Sequence, residues 1–154
     1  MSELTHSESI VVAASPETLY DLVSDVTRVG EWSPECRAAR WDEGAGAKVG
    51  DWFTGSNESG DQKWETKCRV VAADRGKEFA FAVGGTYVRW GFTFAPAEGG
   101  TELTESWAFL PDGIQYFKDN FGAEAEGAIE GRTAAARSGI HETLVAIKKI
   151  AESG

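Results

Sequence analysis

From Lys63 to Ala73 the chain alternates with a period of two: Trp64, Thr66, Cys68 and Val70 fall on one side, and Lys63, Glu65, Lys67 and Arg69 on the other. That period predicts a half-buried strand with one solvated face. It recurs from Tyr87 to Ala95, where Val88, Trp90, Phe92 and Phe94 share a face, and from Thr101 to Phe109, where Leu103, Glu105, Trp107 and Phe109 do. Shorter strands are predicted at Arg37 to Trp41, Asp51 to Ser59 and Glu78 to Val83. Turn residues separate them: Asp42-Glu43-Gly44-Ala45-Gly46, Gly60-Asp61, Asp74-Arg75-Gly76-Lys77, Gly84-Gly85 and Pro96 to Gly100. Strands in series at this spacing, joined by tight turns, predict an antiparallel meander. A further strand precedes them, Ser7 to Ala14, carrying the β-branched run Ile10-Val11-Val12.

The helical signals are different in kind. Ser15-Pro16-Glu17-Thr18 supplies an N-cap and a proline at the first helical position, and Leu19, Tyr20, Leu22, Val23 and Val26 form one apolar stripe. Asp25 reads as the cap of a second short helix ending near Gly30, after which Pro34 forces an extended or turn conformation on Ser33. Pro111-Asp112-Gly113 ends the β pattern, and the rest is helical to Glu152, with an irregular stretch expected around Gly122 to Gly131. There Ile129, Thr133, Ala136, Ile140, Leu144, Ile147 and Ala151 recur with a period of 3.6, opposite Arg137, His141, Glu142, Lys148 and Lys149. This amphipathic helix of roughly five turns is the one long element available to cover the apolar face of the sheet. The expected fold class is α+β: a curved, seven-stranded antiparallel sheet around a long C-terminal helix, with two short helices after the first strand.

A length of 154 residues fits a single domain, residues 1–154, able to form its own core without disulfide or metal. The formal net charge of −10 opposes phosphate backbones and anionic lipid headgroups, so no nucleic-acid partner is expected. No apolar run reaches the roughly 20 residues of a bilayer span, so no stable membrane insertion is expected either. The opening residues Met1-Ser2-Glu3-Leu4-Thr5-His6 lack the basic and apolar regions of a secretory signal, and Cys36 and Cys68 read as free thiols. A cytoplasmic location is the expectation.

Polar residues on apolar faces point to a cavity between sheet and helix. Glu105 lies among Leu103, Trp107 and Phe109; Asn57 shares a face with Phe53 and Gly55; Thr66 stands between Trp64 and Cys68. A buried carboxylate must be paired, neutralised or wetted. A few convergent polar groups on an aromatic wall suit a ligand site, while an arginine partner for Glu105 or a slipped register would account for it without one. The expected wall comprises Trp32 at the mouth, Trp64, Phe81, Trp90 and Trp107 on the sheet, and Phe117 and Ile140 from the C-terminal segment. Each of these aromatics also suits a plain core.

The layout resembles the START-like, polyketide cyclase/dehydrase (SRPBCC) superfamily, which includes the birch pollen allergen family. The resemblance runs from Ser7 to Glu152. It is carried by Ala14-Ser15-Pro16-Glu17-Thr18-Leu19-Tyr20-Asp21-Leu22-Val23-Ser24-Asp25, Val29-Gly30-Glu31-Trp32-Ser33-Pro34-Glu35-Cys36, Val49-Gly50-Asp51-Trp52-Phe53-Thr54-Gly55-Ser56-Asn57 and Gly99-Gly100-Thr101-Glu102-Leu103-Thr104-Glu105-Ser106-Trp107. The chain is most similar to small, single-domain bacterial members. The resemblance implies a helix-grip fold, seven strands gripping the C-terminal helix around a cavity. Superfamily members bind lipids, sterols, polyketides or hormones, and some catalyse cyclisation, dehydration or hydrolysis, so fold alone does not select among them.

Motifs for chemistry are sparse. Neither His6, placed in the N-terminal tail, nor His141, on the polar side of the last helix, has a motif around it; both read as surface residues. No metalloprotease, serine-hydrolase, phosphate-loop or dinucleotide fingerprint occurs, the two cysteines lack metal-ligand spacing, and no metal or organic cofactor is expected. Three readings follow. The first is a carrier or sensor of a small hydrophobic molecule (a lipid, polyketide or aromatic metabolite). The second is a polyketide cyclase/dehydratase relying on pocket shape, with Glu105 as acid/base and Asn57 and Thr66 as hydrogen-bonding groups. The third is a protein-interaction module. Monomer and homodimer are both compatible with the sequence.

Overall fold

The computed structural model describes residues 4–153. Strand β1 (Thr5–Val12) leads to α1 (Pro16–Val23) and a 3-10 turn at Val26–Glu31. Then come β2 (Cys36–Trp41), β3 (Trp52–Ser59), β4 (Gln62–Asp74), β5 (Glu78–Val83), β6 (Val88–Ala97) and β7 (Gly100–Phe109). The chain closes with α2 (Pro111–Phe121), a 3-10 turn at Gly122–Glu124 and α3 (Ala125–Ser153). The seven strands form one curved antiparallel sheet in the order β1-β7-β6-β5-β4-β3-β2, gripping α3 in a helix-grip α+β fold.

Local sequence explains the starts and stops. The Ser15 hydroxyl accepts from Thr18 N at 3.1 Å with Pro16 in the first turn, and Asp25 accepts from Thr27 N at 3.2 Å. The second short helix is 3-10 rather than α. Register shifts interrupt the ladder between Cys36 and Ala38 and between Val70 and Ala72. Such bulges bend a strand and raise its twist, which helps the sheet curl around a helix. The predicted irregularity from Gly122 to Gly131 shrinks to Gly122–Glu124, with Gly122 at φ 54°. Gly127 and Gly131 sit inside α3, which runs for 29 residues and is longer than its apolar stripe implied.

The inward row of each central strand divides into two halves. At one end Phe79, Phe94 and Leu103 pack with Val12, Leu19, Tyr20, Ile140, Leu144 and Ile147 into a buried core. The Tyr20 ring meets Phe79 and Phe94 edge-on at 6.1 and 5.7 Å, a favoured aromatic geometry. At the other end only the last residue of α1, Val23, reaches the interior, and the space between sheet and α3 stays open.

Candidate ligand cavity

That open half is a cavity of about 730 Å³, within the range of small-molecule sites. Its sheet wall carries Trp64, Thr66 and Cys68 of β4, Phe81 of β5, Trp90 and Phe92 of β6, and Glu105, Trp107 and Phe109 of β7. Asn57, Gly55 and Phe53 of β3 extend it, and Ala136, Gly139 and Thr143 of α3 form the facing side. An unbroken aromatic series crosses from sheet to α2. Trp90 meets Trp107 at 6.5 Å, Trp107 meets Phe109 at 6.0 Å, Phe109 meets Phe117 at 5.1 Å, and Phe117 meets Phe121 at 5.0 Å. A smaller depression of about 250 Å³ touches Ser7, Arg89 and Ser106. There the Arg89 guanidinium is already held by Glu78 at 3.0 Å, so the larger space is the candidate site.

Nine of the ten residues singled out from sequence line this cavity: Trp32, Asn57, Trp64, Thr66, Phe81, Trp90, Glu105, Trp107 and Phe117. Ile140 does not. It is fully buried in the core with Leu144 and Ile147, and the wall of α3 is instead the stripe Ala136, Gly139 and Thr143. A helix turned about 100° per residue presents one stripe to the core and the adjacent one to the cavity. Trp32 is also displaced from its expected role at the mouth. It is 6% exposed and forms inner wall, whereas Tyr116, Phe121 and Arg132 are among the exposed lining residues.

Glu105 has the most distinctive environment. It is 4% exposed, its Oε1 has no hydrogen-bond partner, and among the described residues no cation pairs with it. Burial, with a smaller contribution from the Glu8 carboxylate, holds its carboxyl well above the usual range. The arginine partner that would have made it a structural ion pair is not there. Asn57, by contrast, is engaged within the wall: its amide nitrogen donates to Trp64 O at 3.3 Å and to the Thr66 hydroxyl at 3.2 Å. Burial pushes the Cys68 thiol up to about 12 and raises Cys36 as well, so neither is poised as a nucleophile. No group of three or more metal-ligating side chains is assembled among the described residues.

Three features escaped the sequence. His6 lies in β1 rather than in a tail, because the strand begins at Thr5. Its Nε2 is 2.8 Å from Glu8 Oε2, while His141 Nδ1 reaches Glu8 Oε1 at 3.5 Å. Glu8 alternates with Ile10 and Val12 inside the strand expected from Ser7, and His6 joins that inward row because β1 starts two residues earlier. At the mouth, the Arg132 guanidinium lies 4.7 Å from the centre of the Trp64 ring and 3.7 Å from Glu35. Tyr87 stacks on Tyr116 of α2 at 4.8 Å. No local pattern links those last two pairs.

The family description "Polyketide cyclase / dehydrase and lipid transport" matches residues 3–151. Among solved structures, the chain is similar to the Polyketide_cyc-like protein Cgl2372 from Corynebacterium glutamicum. The two share 46% identity over 98% of this chain and 93% of that one, with a TM-score of 0.72. It also matches, at 14% identity and a TM-score of 0.71, the di-domain ARO/CYC StfQ from the steffimycin biosynthetic pathway. That match covers 97% of this chain and 51% of StfQ, so the chain spans about half of the two-domain protein. Protein Ms6760 from Mycobacterium smegmatis matches at 18% identity over 98% of this chain and 92% of that one, with a TM-score of 0.69. No curated protein matches the chain. No helix among the described residues is long and apolar enough to cross a membrane. The match over nearly the whole length, on a helix-grip fold with an open interior, makes this chain a member of the polyketide cyclase/dehydrase and lipid transport family.

Proposed function

We propose that the protein binds a small hydrophobic molecule in the cavity between sheet and α3, as a carrier or sensor. The observation that carries this reading is the 730 Å³ space itself, walled by aromatic rings and furnished with a buried carboxyl that has no protein partner. A carrier needs apolar area for affinity and a few polar groups for orientation. It needs no second titratable group opposite the first: Asn57 and Thr66 are bonded to each other, both cysteines hold their protons, and the charged lining residues Glu65, Lys67, Arg132 and Glu142 are exposed.

A second reading is favoured by Glu105. In a polyketide cyclase or dehydratase, the cavity would hold a flexible polyketone in a reactive conformer, and Glu105 would deliver a proton to a ligand oxygen. The likeness to the ARO/CYC protein StfQ is consistent with this use of the fold, and at 14% identity it extends to the fold alone.

Native mass spectrometry of protein purified gently from its own cells, followed by extraction of the bound molecule, separates the two. An apolar molecule recovered unchanged after incubation supports the carrier. A product cyclised or short of one water, no longer formed by Glu105→Gln, supports the enzyme. Protein that stays empty alongside every hydrophobic molecule offered to it would overturn both.

A further inference from the structure

Glu105 stands where the inward row of β7 passes from core to cavity. Leu103, two residues before it, is fully buried in the core, and Trp107, two residues after it, lines the cavity. Its ladder neighbours are Phe92 on β6 and Glu8 on β1. Directly opposed residues of an antiparallel pair share a face with their β-carbons about 5 Å apart, so two carboxyl groups are adjacent on the inner surface. Their surroundings differ. Glu8 is half-buried near solvent and is flanked by His6 at 2.8 Å and His141 at 3.5 Å. Glu105 lies deeper, with an apolar neighbour on its other side and an unpartnered Oε1.

Two neighbouring carboxyls do not both ionise readily, and Glu105, the more deeply buried of the two and without a hydrogen-bond partner on Oε1, is the one that retains its proton. A neutral carboxyl is a hydrogen-bond donor, and this one borders the cavity with no acceptor in the protein. We propose that this end of the cavity is a recognition site for an uncharged acceptor oxygen, a ketone or quinone carbonyl, which takes the Glu105 proton in a hydrogen bond while Glu8 behind it enforces the neutral form. A ligand carboxylate is disfavoured at the same place: it would bury an anion beside the Glu8 carboxyl with no Lys or Arg paired there to balance it. The proposal rests on the ligand-binding reading above and narrows it to a class of ligand. Glu105 contacts the ligand oxygen; Glu8 acts through Glu105 as a positioning residue.

Three probes of matched shape test it by calorimetric titration at neutral pH: 2-ethylnaphthalene, 2-acetylnaphthalene and 2-naphthoate. The hydrocarbon reports on the cavity alone, and failure to bind it to the wild-type protein would overturn the cavity reading together with this proposal. If the hydrocarbon binds, the ketone is expected to lose about 5- to 10-fold in Glu105→Leu, while the hydrocarbon keeps or improves its affinity. Glu105→Gln, whose amide still donates, is expected to retain the ketone. Naphthoate is expected to bind wild type at least about tenfold more weakly than the ketone and to recover part of that deficit in Glu8→Gln. Equal binding of ketone and naphthoate to wild type, or equal ketone binding to wild type and a folded Glu105→Leu, would overturn the proposal while leaving the cavity reading intact. Should Glu105→Leu fail to fold, infrared spectroscopy of the wild type decides. A protonated-carboxyl C=O band, absent from Glu105→Gln and shifted by the ketone but not by the hydrocarbon, is expected; no such band, or no ketone-dependent shift, would overturn it.

Discussion

Gly113, in the first turn of α2, lies against the carbonyl of Tyr87 with no room for a β-carbon between them. The contact seats α2 where Tyr116 stacks on Tyr87 and Phe117 meets Phe109, and so places one wall of the cavity. Gly113→Ala therefore has to push α2 away from the sheet. Overpacking of this kind costs about 1–3 kcal/mol. Chemical denaturation is expected to show that loss, and a bound apolar probe is expected to dissociate faster; a variant with unchanged stability and off-rate would mean that α2 is not held by this contact.

The two halves of the sheet predict two kinds of substitution. Ile140→Ala removes a fully buried side chain from the core and is expected to cost about 2–5 kcal/mol, with ligand affinity preserved under conditions where the variant stays folded. Trp90→Ala acts in the cavity wall, where part of the ring faces open space. Its signature is weakened apolar binding with a smaller stability loss than truncating a core ring such as Phe79. Denaturation and titration on the same preparations check both.

The raised Glu105 carboxyl makes stability depend on pH in a stated direction. Its folded-state value lies above the 4.5 of an ordinary glutamic acid, so between 4.5 and the raised value the unfolded chain has released a proton that the folded chain still holds. Stability from this group is complete below 4.5 and is lost as pH rises through that window, by up to about 1.4 kcal/mol per pH unit. Glu105→Gln cannot titrate and is expected to lack this contribution. Melting temperatures of the two proteins should therefore diverge with increasing pH above 4.5, the wild type falling relative to the variant. Parallel curves would show that Glu105 is ionised in the fold.

The cysteines give a chemical readout of the same interior. With its thiol pushed up to about 12, Cys68 is almost wholly protonated at pH 8. Its reaction with a disulfide reagent in the folded protein is expected to be at least about 100-fold slower than in denaturant, with Cys36 slowed less. The strands bearing the two residues are separated by β3, roughly 9.5 Å from β2 to β4, beyond the reach of a disulfide. Mild oxidation is expected to leave both thiols free; a Cys36–Cys68 bridge would require a different strand order.

Arg132 supplies a contrasting case at the mouth. Its contacts with Trp64 and Glu35 are partly exposed, and such pairs contribute about 1 kcal/mol or less. Arg132→Ala is expected to change stability within that limit and to alter the rate at which an apolar probe enters and leaves, as followed by Trp fluorescence in stopped flow. A stability loss of several kcal/mol would indicate that the mouth is part of the core.

Much of this was legible in the chain because the signals are local. Period-two alternation in β4, β6 and β7 assigned Trp64, Thr66, Trp90, Glu105 and Trp107 to one inner surface, and the Ser15-Pro16 cap fixed α1. What the sequence did not reveal depends on relations across the fold. Ile140 and Thr143 occupy similar helical faces, and only the packing of α3 against α1 and the sheet separates the residue in the core from the one that lines the cavity. Trp32 follows a helix break that suggested an opening, yet the 3-10 turn folds it inward. His6 and Glu8 share a face of β1 by simple alternation, but His141 reaches Glu8 because α3 packs against β1, a long-range contact that no spacing in the chain encodes.

The most direct test of the central claim is an NMR titration of the isotopically labelled protein with 2-ethylnaphthalene, a probe that can report only on apolar space. The account predicts saturable shifts at the indoles of Trp64, Trp90 and Trp107 and at the rings of Phe81 and Phe117, with Leu19, Tyr20, Phe79 and Leu144 unmoved. Shifts absent at the solubility limit, or confined to outward-facing residues, would contradict it.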